Sequence, residues 1–205
     1  MKIILSTNNP SKAEQIRKIF EGSGLTLLTP NELGITGEAV EDGDTLEANA
    51  LKKCIYVWQR LAAKPWVIAD DTGIFTATEP EWPGVKSARW AGDVPTEEIM
   101  RRFLHKMRGW PDRRATFRTS VVLASPDQKY YVFSGECPGT VLETNRGKPQ
   151  PQMPYSSIFK PDASSKVWSE MSVEEENAIS HRGIAFRKAL DFLKTWASAQ
   201  PFKCT

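Results

Sequence analysis

The sequence predicts a chain of α/β class, and three observations predict it. A strand-loop-helix unit opens the chain, a short apolar strand follows a second amphipathic helix, and a long β-hairpin precedes a final helix.

In order, Lys2-Ile3-Ile4-Leu5-Ser6-Thr7 reads as the first strand. Asn9 and Pro10 supply a cap and a first-turn residue, and Ala13, Ile16, Ile19 and Phe20 form an apolar helical face that Gly22 and Gly24 end. Leu25 to Thr29 reads as a second strand closed by Pro30. Asp44, three residues before Glu47, suggests a capping box for a helix whose Leu46, Ala50, Leu51, Cys54, Trp58 and Leu61 share one side. Trp66-Val67-Ile68-Ala69 is a short buried strand that ends at Asp70-Asp71, with Thr72-Gly73 after it. Glu79 to Gly84 is a Pro-rich loop, and Thr96 starts a helix running to about Met107. Arg114 to Ala124 and Lys129 to Gly135 make the hairpin around Ser125-Pro126-Asp127, with a bulge expected between Gly135 and Gly139. Gly147 to Ser157, with three prolines, is irregular, and Glu174 to Trp196 reads as one final helix.

A length of 205 residues suits one large domain or two small lobes. Composition is that of an ordinary globular protein, 40% hydrophobic and 25% charged. No apolar run is long enough to span a bilayer, and the opening apolar stretch is too short for a signal peptide, so the expected location is cytoplasmic. Cys54, Cys137 and Cys204 have no metal or redox spacing and are expected to be reduced thiols. A net charge of +2 with interspersed signs gives no general drive toward nucleic acid or membrane and favours a small anion as partner. Arg113, Arg114 and Arg118 read as the solvent face of a strand.

Two adjacent carboxylates at the end of a buried strand are costly unless cations or donors compensate them, and such a pair can hold a hard divalent metal over a phosphate. A polar turn is the alternative, since Asp, Thr and Gly also favour turns. Thr7, Asn9 and Lys12 lie at a strand-to-helix junction, where free N–H groups and the helix dipole attract an anion. The same residues also describe a simple capped helix start, and the glycines of a P-loop are missing. Glu41, before Gly43, is a loop acid that could be a ligand or merely solvated. Ser180-His181-Arg182 offers a donor beside a planar charged fork, suited to phosphate or a polar base edge, or else a solvent-facing turn. No Ser or Cys nucleophile motif is present.

In combination these signals are specific. Thr7-x-Asn9-x-x-Lys12, Glu41-x-Gly43-x-Thr45 with Asn49-Ala50 and Lys53, Ala69-Asp70-Asp71-Thr72-Gly73, Pro83 to Gly92 and Ser180-His181-Arg182, in that order, resemble the inosine triphosphate pyrophosphatase family. Those enzymes hydrolyse non-standard purine nucleoside triphosphates to the monophosphate and pyrophosphate. The resemblance implies an elongated mixed twisted β-sheet with flanking helices and two lobes around a nucleotide cleft, residues 1–205 as one domain, and a homodimer. It further implies that Thr7, Asn8, Asn9 and Lys12 bind the triphosphate with Lys53. Glu41, Asp70 and Asp71 would organise Mg²⁺, and Asp71 would orient or deprotonate the attacking water. Thr72, His181, Arg182 and Tyr155 would contact substrate.

Two departures fall in the implied base pocket. The family's Phe-Gly-Tyr-Asp-Pro segment is replaced by Met153-Pro154-Tyr155-Ser156-Ser157, so Met153 stands for the stacking aromatic and Ser156 for the acid. The Lys that usually precedes the Asn of the last motif is Glu176. A carboxylate cannot donate to a purine 6-oxo group. If Glu176 faces the base, it should favour an amino-bearing edge, such as adenine, 2,6-diaminopurine or an N6-modified purine, over hypoxanthine. If it swings into solvent with Glu174 and Glu175, the usual preference is retained. A catalytically weak nucleotide-binding regulatory protein is the competing reading.

Overall fold

A computed structural model describes residues 1–199 of the chain. Among these residues seven strands form one mixed sheet with five helices around it. The strands are β1 (Lys2–Leu5), β2 (Thr26–Leu28), β3 (Val67–Thr76), β4 (Pro83–Gly84), β5 (Arg114–Ala124), β6 (Tyr130–Val141) and β7 (Phe159–Pro161). Their order is β2-β1-β3-β5-β6-β7, with β4 on the far half of β3. β1 runs parallel to β2 and β3, and the remaining pairs are antiparallel. The helices are α1 (Pro10–Phe20), α2 (Leu46–Trp58), α3 (Thr96–Lys106), α4 (Val173–Ile179) and α5 (His181–Ala199).

Side-chain alternation along β3 sorts the core. Ile68 packs with Ile3, Leu5, Ile16, Val121 and the apolar stripe of α5, so α1 and α5 cover one face. Val67 and Ala69 pack with Ala50, Cys54 and Val57 of α2 on the other. A third cluster gathers Ile74, Phe103, Met107, Phe117 and Phe159 around α3 at the far end of the long strands. Full burial of each such large side chain contributes roughly 1.5–3 kcal/mol.

Five local expectations are corrected. β3 does not end at the acids but continues to Thr76, because β5 pairs with it in register from Val67↔Ala124 to Thr76↔Ala115. The turn alternative for Asp70-Asp71 is therefore excluded. No bulge interrupts β6: Gly135 pairs with Thr119 and Gly139 with Ala115 in unbroken register. Those glycines serve close approach instead, since a Cβ at Gly135 would collide with the His181 carbonyl and one at Gly139 with the Lys160 carbonyl. The cap of α2 is Thr45, whose hydroxyl accepts from Ala48 N–H at 3.1 Å, rather than Asp44.

The final helix is broken. Ser180 is extended (φ −74°, ψ 152°), ends α4, and its hydroxyl accepts from Gly183 N–H at 3.0 Å, which starts α5. Pro83–Gly84, expected as loop, adds the two-residue β4. Arg113 donates to the carbonyls of Met107, Val141 and Leu142, whereas Arg114 pairs with Asp112 and Arg118 with Glu136. Cys54 and Cys137 are buried free thiols, and Cys204 lies outside the described residues. No described helix is long and apolar enough to cross a membrane.

Candidate active site

The loop between β1 and α1 forms one wall of a polar cleft of about 390 Å³. Thr7, Asn8, Asn9 and Lys12 all line it, together with Glu41, Lys53 and Asp70. The small polar side chains shape the loop: Thr7 Oγ1 accepts from Asn9 N–H at 3.2 Å, and Asn9 Oδ1 caps α1 through Lys12 N–H at 3.1 Å. Asn8 ties the loop to the opposite wall by donating to the Gly37 carbonyl at 3.1 Å, while its own Oδ1 is buried without a partner.

The pleat of β3 sends the two adjacent aspartates to opposite faces of the sheet. Asp70, 2% exposed, turns to the α1/α5 face, where Lys12 Nζ and Arg182 Nε each lie 3.5 Å from Oδ2. Burial alone would raise the Asp70 pKa, but Lys12, Arg182 and Lys53 overcome it and hold the carboxyl well below its usual range. Loss of hydration moves Lys12 the other way, downward, with Asp70 opposing. Arg182 also donates to Gln15 Oε1 at 2.6 Å, and Asn177 Nδ2 donates to the Gln15 carbonyl at 2.8 Å.

Asp71 turns to the α2 face. Its Oδ2 accepts from Asn49 Nδ2 at 2.9 Å and its Oδ1 lies 3.4 Å from Lys53 Nζ. The same ammonium contacts Glu41 Oε1 at 2.9 Å and donates to the Asp70 carbonyl at 2.9 Å. Burial, with the Glu41 charge adding to it, raises the Asp71 pKa against the pull of Lys53. Burial would lower Lys53, yet Asp71, Asp70 and Glu41 together raise it. Asp71 itself does not line the cleft; Glu41 and Lys53 do.

The three acids therefore do not surround one point, and among the described residues no group of three or more His, Cys, Asp or Glu side chains is arranged to hold a metal ion. Two carboxylates, Glu41 and Asp71, do bracket a cation, the Lys53 ammonium. Hard oxygen donors around a positive centre match Mg²⁺ chemistry, which commonly needs only one or two carboxylates plus phosphate oxygens.

A smaller, mainly apolar pocket of about 100 Å³ adjoins the cleft, and Lys12 lines both. Met153, Tyr155, Ser156, Thr72, Glu176, His181 and Arg182 line it, so the residues implied for the base converge there. Glu176 is 3% exposed, while the Glu174 and Glu175 side chains are 68% and 49% exposed. The solvent-facing alternative for Glu176 is excluded. His181 is likewise buried, its ring stacked on Phe117 at 4.7 Å, with neither nitrogen partnered. Burial, reinforced by Arg182, holds its pKa well below 6.5, so the ring is neutral.

Several side chains in the pocket already have partners. Tyr155 hydroxyl donates to the Ser87 carbonyl at 2.7 Å and accepts from Trp90 Nε1 at 2.9 Å. Ser156 Oγ accepts from Gln150 N–H at 2.7 Å and donates to the Met153 carbonyl at 2.8 Å. Thr72 Oγ1 lies 3.2 Å from Asp70 Oδ2 and 2.7 Å from Thr119 Oγ1. Sequence reasoning assigned no role to Gln15, Asn49, Arg89, Gln150 or Trp168. Asn49 and Arg89 stood inside quoted motifs, and Arg89 Nη1 lies 3.8 Å from Glu41 Oε2. Gln150 and Trp168 line the apolar pocket and carried no sequence signal.

Comparison with known proteins places these features in context. A model described as Ham1 family matches residues 3–192. A dITP/XTP pyrophosphatase of Thermoanaerobacter sp. (strain X514) is 36% identical over 196 residues, covering 94% of this chain and 96% of that protein. A dITP/XTP pyrophosphatase of Leuconostoc mesenteroides is 33% identical over 204 residues, covering 98% and 100%. Among solved structures, the Staphylococcus aureus Ham1 protein superposes with a TM-score of 0.80 at 30% identity, covering 96% of this chain and all of that one.

Proposed function

The chain belongs to the Ham1 family, and from that premise we propose that its cleft hydrolyses a purine nucleoside triphosphate to the monophosphate and pyrophosphate. It is thus a hydrolase of acid anhydrides. The observation that carries the reading is the shared wall at Lys12: a polar cleft lined by Lys12 and Lys53 together with acids joins an apolar pocket, the outline of a triphosphate and its metal attached to a base. The same reading takes the chain as one domain of two lobes, acting as a homodimer in the cytoplasm; family membership supports it.

Thr7, Asn8 and Asn9 present the loop at the α1 N-terminus to the phosphates, and Lys12, Lys53 and Arg89 supply charge. Each charge-assisted contact contributes about 1.5–3 kcal/mol. Glu41 and Asp71 would hold Mg²⁺ beside phosphate oxygens once the incoming anion draws Lys53 away. Bound there, the ion would neutralise charge developing on the α-phosphate and the leaving pyrophosphate. Asp71 accepts the proton of the attacking water, and burial, by raising its pKa, strengthens it as a base. Asp70 positions Lys12 and Arg182 through its ion pairs and opposes the loss of charge that burial imposes on Lys12, a role that these contacts support better than metal ligation.

The burial of Glu176 in the pocket supports selectivity for a purine with an amino group on its recognition edge over hypoxanthine. The measurement is a panel of ribo- and deoxynucleoside triphosphates with and without Mg²⁺, with products identified. Monophosphate plus pyrophosphate is expected, Asp71→Asn is expected to abolish turnover, and diphosphate plus orthophosphate would overturn the mechanism. One observation favours the regulatory reading, namely that Lys53 stands between Asp71 and the cleft; tight binding without turnover would establish it.

A further inference from the structure

We infer that the amino-bearing purine is of the 2-amino-6-oxo type, the guanine edge, read by Glu176 and by the indole N–H of Trp168. This rests on the reading that the cleft takes a purine nucleoside triphosphate.

Glu176 is buried, and its carboxylate receives a single long hydrogen bond, from Gln150 Nε2 at 3.4 Å. An ionised carboxylate has about four acceptor sites, so a buried one with one weak donor is short of N–H partners. Trp168, 3% exposed and lining the same pocket, has an indole N–H without a partner. An indole N–H can only donate, so it lacks an acceptor. Gln150 Oε1 and both nitrogens of the neutral His181 ring are also unpartnered in this pocket; beyond what they can exchange with a ligand, the pocket asks for donors facing Glu176 and an acceptor facing Trp168.

Each purine edge answers differently. Guanine places N1–H and the 2-amino group side by side, two parallel donors for the two oxygens of one carboxylate, with the 6-oxo acceptor next to them. Hypoxanthine keeps the oxo group and offers only N1–H. Xanthine flanks N1–H with two oxygens, one of which would face the carboxylate. Adenine offers its 6-amino group, but the neighbouring N1 lone pair meets the second carboxylate oxygen. In 2,6-diaminopurine, too, the amino groups flank a bare N1. Only the guanine edge supplies both donors and the acceptor. The 6-oxo group that Glu176 cannot serve finds its donor in Trp168, which changes the 6-amino expectation drawn from sequence.

The test measures pyrophosphate release as kcat/KM for the deoxyguanosine, deoxyinosine, deoxyadenosine, xanthosine and 2,6-diaminopurine triphosphates. The guanine form is expected to exceed the inosine form at least tenfold. Glu176→Gln should lower the guanine-to-inosine ratio at least tenfold, because the amide oxygen can accept from only one of guanine's two N–H groups while the amide NH₂ faces the other donor to donor, whereas the single N1–H of hypoxanthine can still meet the oxygen. Trp168→Phe should lower the guanine-to-diaminopurine ratio, since only the 6-oxo substrate loses its donor. Inosine turnover equal to or above that of guanine, or an unchanged ratio in a Glu176→Gln protein with the parental circular dichroism and melting curve, would overturn the inference while leaving the proposed function standing. If no triphosphate is cleaved, the proposed function fails. Calorimetry with α,β-methylene analogues of the guanosine and inosine triphosphates then decides this inference alone: tighter guanosine binding supports it, and equal or tighter inosine binding refutes it.

Discussion

Replacing Asp70 by Asn removes one charge from a nearly isosteric side chain and leaves two cations facing it. Lys12 Nζ and Arg182 Nε both lie 3.5 Å from the lost carboxylate, and Asp70 is 2% exposed, so water cannot replace it readily. Breaking a buried ion pair by deleting one partner costs about 3–5 kcal/mol. Because the Lys12 side chain is 22% exposed and can partly rehydrate, the low end, about 3 kcal/mol, is expected. The sign of the pH dependence follows from the lowered Asp70 pKa. Its contribution is complete above the unfolded carboxylate value near ~3.9 and is lost only as pH falls through the lower folded value. Urea unfolding of the two proteins should therefore differ by the same amount at pH 7.5 and pH 5, and 0.5 M salt should barely change it. Pyrophosphate should raise the melting temperature of the Asn variant more than that of the parent, since it finds the two cations uncompensated. A difference under about 1 kcal/mol, or one that vanishes between pH 7.5 and 5, would refute the reasoning.

His181, buried with its pKa well below 6.5, makes the unfolded chain bind more protons in mild acid. Stability should accordingly fall as pH drops below about 6.5, by up to ~1.4 kcal/mol per pH unit, and be flat above it; His181→Asn should reduce that slope in denaturation curves. Gly135→Ala should destabilise by about 1–3 kcal/mol and weaken nucleotide binding together, because the new methyl displaces the start of α5 at His181. Ser180→Ala removes the hydroxyl that caps α5 and should cost about 1 kcal/mol in chemical denaturation. Lys53→Met leaves Glu41 and Asp71 without the ammonium between them and should reduce triphosphate affinity about tenfold or more, read by calorimetry with a non-hydrolysable analogue.

The regular elements were legible because hydrophobic period and punctuation agree with them: Asn9-Pro10 starts α1 and the alternation in Arg114 to Ala124 makes β5. The site was legible as a set of residues but not as a geometry. Asp70 and Asp71 adjoin in sequence and so suggest one shared task, yet adjacency in a strand means opposite faces. Recognising that β3 continues past them required the partner strand. The break at Ser180 carries no local mark, since residues 174–196 keep a helical apolar period and the hydroxyl-to-Gly183 bond exists only after folding. The family resemblance offered Glu176 to the pocket as one of two alternatives, which its burial decides, whereas Trp168 reaches the pocket through the tertiary fold and no spacing announces it.

The bonds from Asn177 and Arg182 to Gln15 join points 162 and 167 residues apart. Contacts of such separation bear the entropy of closing nearly the whole chain and form late in folding. During synthesis, then, the loop after β1 leaves the ribosome long before the arginine that completes its surroundings, and the protein is without a finished nucleotide site until its last helix emerges. Nascent chains halted before residue 177 should bind no nucleotide, however much of the sheet they already contain.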